Sequence, residues 1–193
     1  MTYTLLIVES PAKCGKIESY LGSGYKCIAS FGHIRELPGI KYIDVDNNFK
    51  PNFQLMDSKS QQINKMRTMI KNASEVLIAS DDDREGEAIG YHIIETFNLP
   101  LSTKRIIFHE ITKDAILKAV QQPTILNMDL VHAQQARQIL DVIVGYKISP
   151  ILWEHVSRNT KTGLSAGRCQ TPALRIVYDN QKDIDASPGK KVY

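Results

Sequence analysis

The chain has 193 residues, 42% apolar and 23% charged, with a net charge of +3. Those proportions exclude disordered, fibrous and strongly polyionic classes and fit a soluble globular chain of one domain plus part of another. The opening apolar run, Leu5 to Val8, is too short for a signal-peptide core or a membrane span, which implies a cytoplasmic protein. Cys14, Cys27 and Cys169 are odd in number and never form a C-x-x-C pair, so they read as reduced thiols rather than disulfides or a zinc site.

In chain order, Thr4 to Val8 is a strand that stops at Glu9, and Ser10-Pro11 caps and opens a helix running to about Leu21. A second strand spans Tyr25 to Ser30, and residues 36 to 58, rich in Pro, Gly, Asn and Asp, form an extended loop. A helix from Ser60 to Asn72 leads to the strand Val76 to Ala79, which again ends in acid at Ser80-Asp81. Helix Gly86 to Phe97, strand Lys104 to Phe108 and helix Thr112 to Val120 complete the alternation. Strands alternating with helices imply an α/β fold with a mostly parallel sheet whose sites gather at the carboxyl ends of its strands.

After Pro123 only helix signals remain. One runs from about 129 to 144 and ends at Gly145, a short one covers Pro150 to Val156, and a third covers Arg168 to Asp185, with Ser157 to Gly163 as a polar loop between the last two. The expected division is therefore an α/β domain over 1–123 and a helical segment over 124–193. Positive charge follows it: residues 1–128 carry 15 basic against 15 acidic side chains, residues 129–193 carry 9 against 6. A basic face able to hold phosphates is expected in the second part, while Arg105 is read as lying away from it.

Asp81-Asp82-Asp83-Arg84-Glu85-Gly86-Glu87 sets five carboxylates within seven residues at a strand end. Carboxylates so close repel unless a cation lies between them, and their hard oxygens suit Mg²⁺. Alternation along an extended chain would send Asp81 and Asp83 to one side and Asp82 to the other. The same run also fits a solvated acidic loop at a helix N-terminus. Glu9, at the end of another strand in the same sheet, favours a shared cleft. Lys13 lies where a cation opposes the helix dipole, which fits a phosphate contact or a solvated side chain.

Val8-Glu9-Ser10-Pro11-Ala12-Lys13, Gly32-His33-Ile34-Arg35-Glu36-Leu37-Pro38 and Asp81 to Ile89 together resemble the Toprim region of type IA DNA topoisomerases, most closely the bacterial topoisomerase I type. Gln134 to Arg137, Asp141, Val144-Gly145-Tyr146, Ser149-Pro150, Leu152-Trp153 and Gly163 to Pro172 resemble the first part of that family's helical DNA-binding domain. The resemblance implies a Rossmann-like Toprim fold followed by an all-helical segment. It makes Glu9, Lys13, Asp81, Asp83 and Glu85 the catalytic acid site, with Mg²⁺ on Glu9, Asp81 and Asp83. His33, Arg137, Gln138, Asp141, Lys147, Ser165, Ala166, Gly167, Arg168, Cys169 and Gln170 would line a path for single-stranded DNA; for His33 a purely structural role is the alternative.

Three departures stand out. Gln138 occupies the place of a frequent second Arg, Val142 that of another basic residue, and Asp82 that of an apolar residue or Pro. The family's nucleophile is a tyrosine in a Y-x-R context. None of the eight tyrosines here has Arg two residues later, so the chain is expected to be a fragment that needs the remaining domains of its parent chain. The implied activity is relaxation of negatively supercoiled DNA through a transient 5′-phosphotyrosine. The alternatives are a Toprim-type Mg²⁺-dependent nuclease or primase, which leaves the helical segment unexplained, and a non-catalytic DNA- or partner-binding module.

Overall fold

The computed structural model describes residues 2–156, 163–187 and 189. Strand β1 (Tyr3–Val8) is central, with β2 (Tyr25–Ala29) and β7 (Ala73–Ala79) parallel on either side. Leu5, Leu6, Ile7 and Val8 are all buried, because helices cover both faces of the sheet. Leu5 and Ile7 face one layer, packing with Ile63 and Met66 of α2 (Ser60–Asn72) and Ile89, Ile93 and Ile94 of α3 (Arg84–Phe97). Leu6 and Val8 face the other, with Ile17 of α1 (Pro11–Leu21) and Ile116 and Ala119 of α4 (Lys113–Gln121). The period of two along β1 thus divides the core into two halves.

The stretch expected as strand Lys104 to Phe108 contributes only a bridge. Arg105 pairs with Ile78 on one side and Thr124 on the other, through the Ile106 N–H to the Ile78 carbonyl (2.8 Å) and the Thr124 N–H to the Arg105 carbonyl (2.7 Å). The expected loop 36–58 carries two small antiparallel pairs, β3 (Arg35–Glu36) with β6 (Gln54–Leu55) and β4 (Ile43–Asp44) with β5 (Lys50–Pro51). It closes a third apolar cluster, in which Leu37, Ile43 and Phe53 meet Ile139, Val142 and Ile143.

Those last three belong to α5, and here the sequence reading needs correction. Instead of ending at Gly145 and restarting at Pro150, α5 is one helix from Met128 to His155. Pro150 removes a single donor near the helix end, and the chain 163–166 runs alongside to offset it. The Ala166 N–H reaches the Ser149 hydroxyl at 3.1 Å, and the Trp153 indole N–H donates to the Leu164 carbonyl. Asn127 caps the start, accepting from the Asp129 and Leu130 amides. Helix α6 (Gln170–Ala186) follows, with Leu174, Ile176, Val177 and Tyr178 exposed. Among the described residues no helix is long and apolar enough to cross a membrane. The expected polar loop falls mostly on 157–162, outside the described residues.

Candidate functional site

Strands β1 and β7 end in register, Val8 opposite Ala79, so the residues that follow them emerge side by side. Glu9 accepts the backbone N–H of Asp81 at 2.8 Å, and Lys13, in the first turn of α1, sets its Nζ 2.7 Å from Asp81 Oδ1. The two strand-end acids expected to share a cleft lie together, and Lys13 adds a counter-charge between them. An exposed pair of this kind contributes at most about 1 kcal/mol to stability.

Asp83 departs from expectation. The chain after Asp81 turns tightly instead of extending, with the Asp83 N–H on the Asp81 carbonyl at 2.9 Å, so the strand alternation that would pair Asp81 with Asp83 does not apply. Asp83 caps α3, accepting the Gly86 N–H at 2.7 Å, and the helix begins at Arg84, two residues before the expected start. Asp82 faces His109 at 3.8 Å. Among the described residues, no group of three His, Cys, Asp or Glu side chains is assembled to hold a metal. The donor chemistry at Glu9, Asp81 and Asp83 nonetheless fits a hard cation: three carboxylates on adjoining segments, two of them already linked by the Asp81 amide.

The turn is held from below by Arg105. Arg105 is 1% exposed and is not a solvated side chain. Its guanidinium donates to the Asp81 carbonyl at 2.8 Å and the Ser80 hydroxyl at 3.2 Å, and lies 3.3 Å from buried Glu87. The other oxygen of Glu87 accepts the Asn127 N–H at 3.1 Å. One buried ion pair therefore ties the acidic turn, α3 and the start of α5 together.

Glu85 points toward α5. Its Oε2 accepts the Gln134 amide at 3.1 Å and lies 3.2 Å from His33 Nε2, while Arg137 approaches its Oε1 at 4.0 Å. His33 is presented by a tight turn in which Phe31 and Gly32 both adopt positive φ, 59° and 84°. Gln134, nearly buried and absent from the expected site, is thus part of it. His92, fully buried on α3, packs against His33, with ring centroids 5.4 Å apart.

Farther along α5, Asp141 gathers two of the expected DNA-facing cations. Arg168 Nε is 2.7 Å and Arg137 Nε 3.8 Å from its carboxylate. Ser165 donates to Gln170 at 2.9 Å, and Gln138 accepts from Gln134 at 3.4 Å. A cavity of about 690 Å³ opens between Gln138, Asp141, Tyr146, Trp153 and Ser165. Ala166 and Gly167 are half-buried beside it, and Cys169 is exposed. Lys147 is exposed and does not line this cavity. Lys147 apart, the side chains expected to form one path fall into two groups along α5, one at Glu85 and one at Asp141, with Arg137 touching both.

Residues 4–111 match the family model of the Toprim domain, and residues 125–193 match that of DNA topoisomerase. The structure is similar to full-length topoisomerase I from Thermotoga maritima, with a TM-score of 0.83 and 45% identity. That likeness covers 95% of this chain and 31% of the Thermotoga chain, so the chain spans about a third of the length of the topoisomerase it matches. With an acid-bearing parallel sheet matched by the one model and the helices that follow by the other, the chain belongs to the Toprim family and is the N-terminal region of a type IA DNA topoisomerase.

Proposed function

We propose that this chain supplies the acid site and the first DNA-facing helices of an enzyme that relaxes negatively supercoiled DNA. One strand is cut by a tyrosine to leave a 5′-phosphotyrosine, another strand passes, and the cut is resealed. The observation that carries the reading is the junction of Glu9, Lys13 and Asp81 at adjoining strand ends, joined through Glu85 to Gln134 and Arg137 of α5. Lys13 meets the scissile phosphate, and Glu9 exchanges a proton with the 3′-hydroxyl during resealing. Glu9, Asp81 and Asp83 are the residues that would hold Mg²⁺, which when bound neutralises charge at the phosphate. The domain division falls near Pro123. His33, Arg137, Gln138, Asp141, Lys147 and Ser165 to Gln170 contact single-stranded DNA, and the protein works in the cytoplasm on DNA.

The nucleophile lies outside these 193 residues, since none of their tyrosines has the Y-x-R setting. Incubated with negatively supercoiled plasmid and Mg²⁺, the chain alone is expected to give no relaxed topoisomers, no nicks and no covalent adduct. Adding a segment that carries a Y-x-R tyrosine from the same family should restore relaxation. An adduct formed by the chain alone would place the nucleophile among its eight tyrosines. Nicking that disappears in Asp83→Ala would instead favour the hydrolytic Toprim reading.

Binding of single-stranded DNA should be modest and fall steeply with salt, because the proposed contacts go mainly to phosphates. Arg168→Ala should weaken it by about three- to tenfold at low salt and flatten the salt dependence, as expected for the loss of one phosphate contact. A fluorescence-anisotropy titration at several salt concentrations measures both quantities. Unchanged affinity and slope would remove Arg168 from the path.

A further inference from the structure

His92 sits in the core of α3 with its ring against Phe53, centroids 4.6 Å apart. Its Nδ1 is 3.4 Å from Nδ1 of His33, whose Nε2 faces Glu85 Oε2 at 3.2 Å. The Nε2 of His92 is buried with no hydrogen-bond partner. Burial above all, with the Arg35 guanidinium nearby, pushes the His92 pKa down to about 3, so this ring is neutral at ordinary pH.

A neutral His92 carries one ring hydrogen, and its position decides what His33 can do. Placed on Nε2, it would be a buried donor with no acceptor, and the bare Nδ1 would require a hydrogen on Nδ1 of His33. Neutral His33 would then turn a bare Nε2 lone pair toward the Glu85 carboxylate. Placed on Nδ1, the hydrogen of His92 is donated to His33 Nδ1, and the hydrogen of His33 sits on Nε2, aimed at Glu85. With both rings neutral, only the second arrangement makes each contact donor to acceptor and buries no orphaned N–H.

We propose that His92 is a positioning residue: its Nδ1–H fixes His33 as the Nε2–H tautomer and holds that N–H at Glu85, beside the acid cleft. DNA that reaches this edge meets an oriented donor whose hydrogen needs no rearrangement. Only this consequence for DNA rests on the proposed role of His33 as a DNA contact; the tautomer does not.

The test is ¹⁵N NMR of the imidazoles in the 193-residue chain, with single-stranded DNA binding measured alongside. In the wild type, His33 should show an unprotonated Nδ1 and a protonated Nε2. His92→Phe, which keeps a ring in the cavity but removes the donor, should let the two His33 nitrogens average. His92→Asn, which returns an amide N–H near the Nδ1 position, should restore the fixed tautomer. DNA affinity should fall about fivefold in His92→Phe and recover in His92→Asn, the scale of one ordinary hydrogen bond. A wild-type His33 protonated at Nδ1 overturns the proposal without any variant, as does a fixed Nε2–H tautomer that persists in His92→Phe. A tautomer that responds while DNA affinity stays constant upholds the positioning role and removes His33 from the DNA path.

Discussion

Arg105→Ala is expected to be among the most destabilising single changes in the chain, costing about 3–5 kcal/mol, the range for breaking one side of a buried ion pair. The guanidinium is 1% exposed and the Glu87 side chain 4%, so removing Arg105 strands a carboxylate that water cannot reach. It also frees the Asp81 carbonyl and the Ser80 hydroxyl, the groups that hold the acidic turn against the sheet. Urea unfolding of the two chains measures the difference. Arg105→Lys should recover only part of it, because an ammonium cannot span Ser80, Asp81 and Glu87 together. A loss below about 1 kcal/mol would show that the pair is not a structural tie.

Gly86→Ala should be comparably severe for a different reason. A Cβ at Gly86 would lie 2.1 Å from the Asp81 carbonyl oxygen and 2.9 Å from the Asp81 carbonyl carbon and nitrogen. All three are backbone atoms, so no side chain can swing aside to relieve the contact. Either the acidic turn moves off the start of α3 or the helix loses its first turn and the Asp83 cap. The expected cost is about 1–3 kcal/mol for overpacking, plus about 1 kcal/mol for the lost cap. The expected spectroscopic sign is a large shift of the Asp81 and Asp83 amide resonances with the rest of the sheet unmoved. Retained turn geometry in Gly86→Ala would contradict the close approach.

Much of the framework was legible because its signals are local. The strand-to-acid junctions at Glu9 and Asp81, the proline start of α1 and the helix Ser60–Asn72 each follow from a few neighbouring residues, although Ser10 makes no side-chain cap. What failed depended on distant partners. Gly145 and Pro150 read as a helix break, yet the packing of 163–166 and of the loop cluster on α5 carries one helix through both. Asp83 reads as lying on the same side as Asp81 by strand alternation, but the tight turn after Asp81 ends the alternation, and one oxygen of Asp83 caps α3. The burial of Arg105 is not legible from its neighbours, because its acceptors are 24 and 25 positions earlier in the chain and its carboxylate partner is on another element. His92 belongs to none of the motifs, and Gln134, though it opens the motif Gln134 to Arg137, carries no expected role; both enter the site only through contacts with His33 and Glu85.

Glu9 and Asp81, from two strand ends, are proposed to supply one acid site. Mg²⁺ titration of the ¹⁵N-labelled chain, followed at the backbone amides, tests it most directly. The expected result is weak, saturable binding, with the largest shifts at Glu9, Asp81 and Asp83 together, abolished by either Glu9→Gln or Asp81→Asn. Shifts confined to 81–87 and unchanged in Glu9→Gln would contradict it, because the acids would then act as a solvated loop and β1 would contribute nothing to the site.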